Sequence, residues 1–129
     1  MPSSLSHLFF HVRDLAATRA FYVGLLELEV LVDDDGYLRL GGGDGFHIGM
    51  EQWPDDLMPP AIDPASTPAG PDLEIVVGVD DVELTCKRLR LAGFPVILGP
   101  METPWGTLHA WTRDPEGRSV SVQQPLAGA

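Results

Sequence analysis

A strand-like segment followed by an Asp-capped helix occurs twice in this 129-residue chain. In the first copy, the alternating residues 7–12 lead to Asp14, which precedes a run with helical spacing. In the second, the apolar residues 74–79 lead to Asp81. Asp is a preferred N-cap residue because its carboxylate accepts hydrogen bonds from free N–H groups of the first helical turn. Aligning the two caps gives an offset of 81 − 14 = 67 residues, which predicts two modules of the same design.

Each half continues with three further strand-like segments, so both halves are predicted to have the order β-α-β-β-β. The segments are residues 28–32, 37–40 and 46–51 in the first half, and 96–98, 108–113 and 119–123 in the second. Residues 53–72 hold six of the 12 prolines, which predicts an extended connector. We therefore expect a single domain, 1–129, with a first module at 4–52 and a second at 73–125.

The charge balance excludes several classes of partner. Eight Lys+Arg against 19 Asp+Glu give a formal net charge of −11, and Lys87 is the one lysine. Phosphate backbones and anionic lipids are bound by clustered basic side chains, so we expect neither nucleic acid nor a membrane as a partner. A neutral or cationic small ligand suits the balance better. The one cysteine, Cys86, and the absence of a basic, apolar leader predict a cytoplasmic protein without disulfides.

The motifs around the two helices resemble those of the vicinal oxygen chelate superfamily, which includes glyoxalase I, fosfomycin-resistance enzymes, extradiol dioxygenases and bleomycin-binding proteins. In the first module they are Val12-Arg13-Asp14, Phe21-Tyr22 and Gly24-Leu25-Leu26. In the second they are Val79-Asp80-Asp81-Val82, Leu91-Ala92-Gly93, Pro104-Trp105-Gly106 and Arg113-Asp114-Pro115-Glu116-Gly117-Arg118. The resemblance implies an α+β fold with two βαβββ modules forming a curved sheet around a cavity, and it implies a homodimer.

Metal-dependent members of this superfamily are similar in placing ligands at four matched strand positions. The resemblance puts the first position on His7, the third on Glu74 and the fourth, usually a glutamate, on Ser121. Strand alternation leaves three candidates for the second: His47, Gly49 and Glu51. The set His7, His47 and Glu74 would suit Zn, Ni, Fe or Mn, with Glu74 also the catalytic candidate. Because Ser121 replaces the fourth ligand, we expect no cofactor, and a divalent metal is the alternative.

Other side chains are candidates for contact with a ligand. Phe9 and His11 alternate on the same strand face as the first ligand position. Trp105 and Trp111 can stack on planar rings or cations. Arg39 either receives a ligand carboxylate or forms a salt bridge with one of the 19 acids. The predicted ligand-binding set is His7, Phe9, His11, Arg39, His47, Trp105, Trp111 and Ser121.

Three functions are compatible with this pattern. The one that we favour is metal-free binding or sequestration of a small molecule, of the antibiotic-resistance type, with a cationic ligand suited to the acidic chain. The alternative is a metal-dependent lyase or thiol-addition enzyme similar to glyoxalase I or the fosfomycin group. A dioxygenase ranks third, because the extradiol pattern ends in the glutamate that Ser121 replaces.

Glu74 either faces the cavity or lies at an exposed strand end.

Overall fold

A computed structural model describes residue 3 and residues 6–42, 45–58 and 73–127. The chain divides into two compact units, residues 1–60 and 61–129. The predicted connector lies outside the described residues from residue 59 to 72; its described part contains a short 3-10 helix, Asp55–Leu57, instead of extended chain throughout. Pro54 precedes this turn, where proline loses no intrahelical hydrogen bond. Within the described ranges, no helix has the length and apolar character that crossing a membrane requires.

The first unit contains a four-stranded sheet with a helical segment packed on one side. The strands lie in the order β1-β4-β3-β2, with β1 parallel to β4 and the other neighbours antiparallel. They are β1 (Leu8–Val12), β2 (Glu29–Asp34), β3 (Tyr37–Gly41) and β4 (His47–Gln52). Every strand predicted for this half is present, and the ends differ from the prediction by one or two residues.

Helix α1 (Leu15–Arg19) begins at the predicted N-cap, where the Asp14 carboxylate accepts a hydrogen bond at 3.0 Å from the backbone N–H three residues later. The segment continues as a π-helix, Ala20–Leu25, instead of the regular helix that the spacing predicts. The adjacent Phe21 and Tyr22 are both fully buried in it. Consecutive side chains of a regular helix point about 100° apart, so the wider π turn helps both rings reach the core.

The second unit repeats this topology. Its strands lie in the order β5-β8-β7-β6, with β5 parallel to β8 and the other neighbours antiparallel. They are β5 (Ile75–Gly78), β6 (Val96–Glu102), β7 (Thr107–Arg113) and β8 (Ser119–Pro125). The largest difference from the prediction is at β6, which runs to Glu102 because its pairing with β7 resumes after an irregularity in the register.

Helix α2 (Val82–Leu91) begins at the second predicted cap, where the Asp81 carboxylate accepts a backbone N–H at 3.0 Å. In both units, the threonine four residues after the cap donates its hydroxyl to the cap carbonyl at 2.9 Å. The helix ends before Gly93, whose φ of +90° favours glycine. Ala92 is exposed, because the helix has already ended there. The buried inner face is formed by Val82, Thr85, Cys86 and Leu89.

A tight turn at residues 114–117 leads into β8. The buried Asp114 accepts two backbone N–H groups on one carboxylate oxygen, both at 2.9 Å, from Glu116 and Arg118. Gly117 has a φ of +86°, a conformation that costs glycine little. The turn therefore fixes the start of β8 and, with it, the side of the sheet on which both Ser119 and Ser121 lie.

Candidate functional site

The first unit has a polar and aromatic sheet surface, which we call the first face. Its opposite side is apolar and buried, and it consists of Leu38, Leu40, Ile48 and Met50, against which the helical segment packs. Strand alternation and register place the following residues on the first face: His7, Phe9, His11, Tyr37, Arg39, His47, Gly49 and Glu51. The predicted ligand-binding residues of the first module therefore share one side of the sheet.

Arg39 contacts two other side chains of the first face. Its Nε donates to the Tyr37 hydroxyl at 3.1 Å, and one terminal nitrogen lies 3.2 Å from Nε2 of His7. A guanidinium has only donors, so His7 accepts this hydrogen bond with a ring nitrogen lone pair. No described carboxylate forms an ion pair with Arg39, and the predicted alternative of a salt bridge is not what the described residues show.

Aromatic rings surround this pair. Phe9 lies parallel to Tyr37, with ring centroids 6.2 Å apart and 19° between the planes. The His11 ring contacts Phe9 edge-on at 5.0 Å and lies 3.5 Å from the Trp53 ring. Trp53 in turn donates its indole N–H to Glu51 at 2.9 Å. The first face thus presents stacked rings beside a guanidinium, and Glu51 is already engaged.

Gly49 lies beneath these side chains, and the space above it is filled. A Cβ at this position would lie 2.8 Å from the Tyr37 hydroxyl, 3.2 Å from Phe9 and 3.4 Å from His7. Any side chain here would therefore have to displace the hydroxyl that accepts from Arg39. The absence of a side chain at residue 49 is what lets the three neighbours meet.

The second unit has a corresponding surface, the second face, on the side of its sheet away from α2. The register places here Glu74, Val76, Leu98, Met101, His109, Trp111, Ser119, Ser121 and Gln123. Several of its apolar members are exposed, among them Val76, Leu98 and Met101. Glu74, Trp111 and Ser121, which the sequence predicts as site residues, are brought together on this face.

Two serine hydroxyls hold the Glu74 carboxylate. Ser119 donates to one oxygen and Ser121 to the other, both at 3.1 Å. The serines are buried, whereas Glu74 is exposed. Glu74 is solvent-exposed at the end of the strand, which is one of the two alternatives stated above. Its side chain is nevertheless held in place by the two serines of the neighbouring strand β8. The carboxylate keeps lone pairs that can accept hydrogen bonds from a ligand.

His109 is a site residue that the sequence analysis missed. Its ring stacks on Trp111 at 4.4 Å with 22° between the planes, and Trp105 meets it edge-on at 6.2 Å. The residue is 4% exposed, and Nε2 has no hydrogen-bond partner among the described residues. Burial lowers the pKa of His109 below its usual 6.5, and the Glu74 carboxylate offsets part of this by raising it. The sequence did contain a signal for it: His109 is two residues before Trp111 on one strand, so both side chains lie on the same face.

A cavity of about 380 Å³ lies beside Trp105 in the second unit. It is bounded by the end of β5 at Gly78, the loop at residues 105–107 and the end of β8 at Gln123. The indole of Trp105 is 66% exposed, so a large aromatic surface faces solvent at the edge of this space. A cavity of this size lies within the range that small organic ligands occupy.

The two units correspond strand by strand, which shows which residues of the two units occupy matched positions. Phe9 pairs with Gly49, and Val76, 67 residues after Phe9, pairs with Ser121. Gly49 is therefore the counterpart of Ser121, and neither offers a carboxylate or an imidazole. Among the described residues, no three His, Cys, Asp or Glu side chains are grouped as a metal site.

The surroundings of His7 do not suit a divalent cation either. Its Nε2 lone pair faces the Arg39 guanidinium, and this positive charge would repel a metal ion. The residues present therefore fit a metal poorly.

Comparison with known proteins identifies the family. The model of the Glyoxalase/Bleomycin resistance protein/Dioxygenase superfamily matches residues 4–122. The chain belongs to this superfamily. The two βαβββ modules and the α+β class predicted from the sequence are confirmed by this match and by superfamily structures of the same fold.

Solved structures extend the comparison. TnmS3, an antibiotic binding protein from Streptomyces sp. CB03234, is 28% identical; the match covers 96% of this chain and 97% of that chain, with a TM-score of 0.68. A glyoxalase/dioxygenase from Nostoc punctiforme is 19% identical over 95% of this chain and 90% of that chain, with a TM-score of 0.74, and shows the shared fold alone.

A curated relative points to a different activity within the superfamily. Catechol-2,3-dioxygenase of Bacillus subtilis (strain 168) is 30% identical over 97 residues, which cover 71% of this chain and 33% of that protein. The chain therefore spans about a third of the length of this relative.

Proposed function

We propose that the protein binds a planar small molecule without a metal and sequesters it. The observation that carries this proposal is the pair of corresponding positions Gly49 and Ser121, neither of which supplies a metal ligand. The similarity to an antibiotic binding protein over 96% of the chain supports the same class of function. A protein that only binds needs complementary surface rather than a reactive centre.

The aromatic groups support a planar ligand. In the first unit, Phe9 and Tyr37 stack and Phe9 is 42% exposed. In the second, the exposed indole of Trp105 borders the 380 Å³ cavity. Exposed rings of this kind are favourable platforms for flat molecules, since offset stacking adds about 0.5–1.5 kcal/mol to the burial of apolar surface.

Glu74 supports the cationic group that the net charge of −11 suggests for the ligand. Its two oxygens are already oriented by Ser119 and Ser121, so less side-chain entropy is lost when it accepts a further hydrogen bond. In this proposal Glu74 binds and does not act as a catalytic base.

The metal-dependent alternatives, a glyoxalase-like lyase and a dioxygenase, are less well supported. Both require several nitrogen or oxygen ligands around one ion. The counterpart positions Gly49 and Ser121 withhold two of them, and Arg39 competes for the His7 lone pair. Similarity to the catechol dioxygenase supports the family and not these ligands.

A fluorescence titration with 2-naphthamide, a neutral planar probe, tests ligand binding. We expect saturable quenching of the protein's tryptophan fluorescence, with a dissociation constant of about 1 mM for a probe of this size. Phe9→Ala and Trp105→Ala each remove one of the two proposed stacking surfaces, and the variant that removes the ring on which the probe stacks should weaken binding about 2- to 10-fold. Leu91→Ala, at a residue that is 80% exposed on α2, is the control and should leave affinity unchanged. Absence of saturable binding to the wild-type chain would contradict the proposal.

Equilibrium dialysis against Zn²⁺, Ni²⁺, Fe²⁺ and Mn²⁺ tests the metal-free part. We expect no tight binding to the purified chain. Tight binding that His7→Ala abolishes and His11→Ala retains would overturn the metal-free assignment and favour the enzyme alternatives.

The homodimer implied by the family resemblance stays a prediction, which light scattering during size-exclusion chromatography checks.

A further inference from the structure

Arg39 has unusual partners for an arginine in so acidic a chain. There are 19 Asp+Glu residues against eight Lys+Arg, and two other arginines of the first unit pair with carboxylates: Arg13 with Asp55, and Arg19 with Asp33. Arg39 instead contacts a phenol and an imidazole. Among the described residues, its positive charge is not neutralised by any carboxylate within ion-pair distance.

The hydrogen bonds of Arg39 leave donors available. Nε is used by the Tyr37 hydroxyl and one terminal nitrogen by His7, whereas the other terminal nitrogen, Nη1, has no acceptor among the described residues. Tyr37 accepts from Arg39, so its own O–H hydrogen is free to be donated. The two N–H groups of Nη1 and the phenolic O–H of Tyr37 are therefore available as donors.

The position of these donors is fixed rather than adaptable. Arg39 is half-buried and its guanidinium carbon lies 6.0 Å from the centre of the Tyr37 ring. Tyr37 is in turn held by stacking on Phe9, and the missing side chain at Gly49 gives its hydroxyl the space that it occupies. A planar, fixed guanidinium matches a carboxylate geometrically and forms stronger hydrogen bonds to it than to a neutral acceptor.

We propose that Arg39 and Tyr37 form an anion-binding site that receives a carboxylate attached to an aromatic ring, with the ring against Phe9. The inference rests on the proposed function, to which it adds that the first unit recognises a carboxylate on the planar ligand; the cationic group proposed for Glu74 is a separate feature of the ligand.

The experiment compares 2-naphthoate with 2-naphthamide, which have nearly the same shape and differ in charge. Both are titrated into the full chain at pH 7 with tryptophan fluorescence as the readout. We expect the wild-type chain to bind the carboxylate about 10- to 100-fold more tightly than the amide, the range given by charged hydrogen bonds of about 1.5–3 kcal/mol. Arg39→Gln should bring the ratio of the two affinities close to one while leaving the amide affinity within about 2-fold.

Three further variants sharpen the test. Tyr37→Phe removes one donor and should lower the preference for the carboxylate about 3- to 10-fold. Arg39→Lys keeps the charge but loses the planar fork, and should retain part of the preference. Arg90→Gln removes an arginine from an exposed position on α2 and should change neither affinity. If Arg39→Gln does not fold, as judged by circular dichroism, the Lys and Phe variants carry the comparison.

The outcomes separate this inference from the proposed function. Equal wild-type affinities for the two probes, or an unchanged preference in Arg39→Gln, would overturn the anion site and leave planar ligand binding intact. Binding of neither probe would overturn the proposed function and the anion site with it. A preference that Arg39→Gln removes and Arg90→Gln keeps supports both.

Discussion

The two units have the same strand order, the same parallel pair and the same Asp-capped helix, yet their polar faces differ in charge and contacts. At the first matched position, His7 contacts a guanidinium, whereas its counterpart Glu74 accepts from two hydroxyls. At the next, Gly49 makes room for a tyrosine hydroxyl, whereas Ser121 donates to Glu74. The two units thus share their strand order and helix caps but differ in the side-chain contacts at matched positions.

This difference arises because only one side of each sheet forms the buried core that stabilises the fold. The sides facing the helices are apolar and buried in both units, and burial of apolar area is the main stabilising term there. The opposite sides are free to carry different groups at matched positions. The predictions below test this division, beginning with the side on which the two units should behave alike.

Truncating a core leucine should cost the most, and similarly in the two units. Leu40→Ala and Leu89→Ala each remove a side chain that is 0% exposed, and each should lower the free energy of unfolding by about 2–5 kcal/mol. Urea unfolding followed by circular dichroism measures the loss. Leu91→Ala, at an exposed position, should stay within about 0.5 kcal/mol of wild type. A cost confined to one of the two units would break the equivalence of their cores.

Adding a methyl group should have a different cost on the two faces. Gly49→Ala brings a Cβ to 2.8 Å from the Tyr37 hydroxyl, and we expect a loss of about 1–3 kcal/mol in the free energy of unfolding. Gly78→Ala is the control, because a Cβ there meets nothing within 4 Å. If the two substitutions cost the same, the filled space above Gly49 does not distinguish the first face.

Ser121, one of the two serines that hold Glu74, should contribute less to the free energy of unfolding. Ser121→Ala removes one hydrogen bond to an exposed carboxylate, and the expected loss is about 0.5–1.5 kcal/mol. A double-mutant cycle with Glu74→Ala isolates the pair, and additive losses would show that the contact contributes nothing by itself.

The smallest expected effect is a pH dependence that belongs to the second face. Burial lowers the pKa of His109, so the unfolded chain takes up a proton at a pH where the folded chain does not. The contribution of His109 to the free energy of unfolding is therefore fully present above about pH 6.5. It decreases as the pH falls toward the lower pKa that His109 has in the folded chain. His109→Gln should flatten this dependence in urea unfolding measured between about pH 7.5 and 5.5. Gln123→Ala, beside His109 on the neighbouring strand, should retain it; an equally flat profile would assign the effect elsewhere.

Much of the fold could be predicted because it is encoded locally. Asp14 and Asp81 mark the helix starts through their side-chain oxygens, and the alternation of apolar residues marks the strands. The ends of β6 and the π-helical register after Arg19 were not predictable from the same signals. They depend on pairing with β7 and on how two adjacent aromatic rings reach one core.

Which residues share each sheet face was predictable from strand alternation, whereas their contacts were not. Parity along strands grouped His7, Phe9 and His11, and the offset of 67 residues matched His7 with Glu74. His109 was missed although it shares parity with Trp111, because a single histidine on a strand gives no signal until its burial is known. The choice among His47, Gly49 and Glu51 required the register between β1 and β4.

The sequence by itself determined the repeat, the helix caps, the superfamily and the absence of a glutamate at Ser121. These follow from short-range rules, since capping, strand alternation and motif spacing act over a few residues. Only the tertiary structure decided that Arg39 lies against His7 and Tyr37 instead of a carboxylate, and that Ser119 and Ser121 hold Glu74. Such pairings join residues up to 47 positions apart and depend on strand register, which composition and spacing leave open.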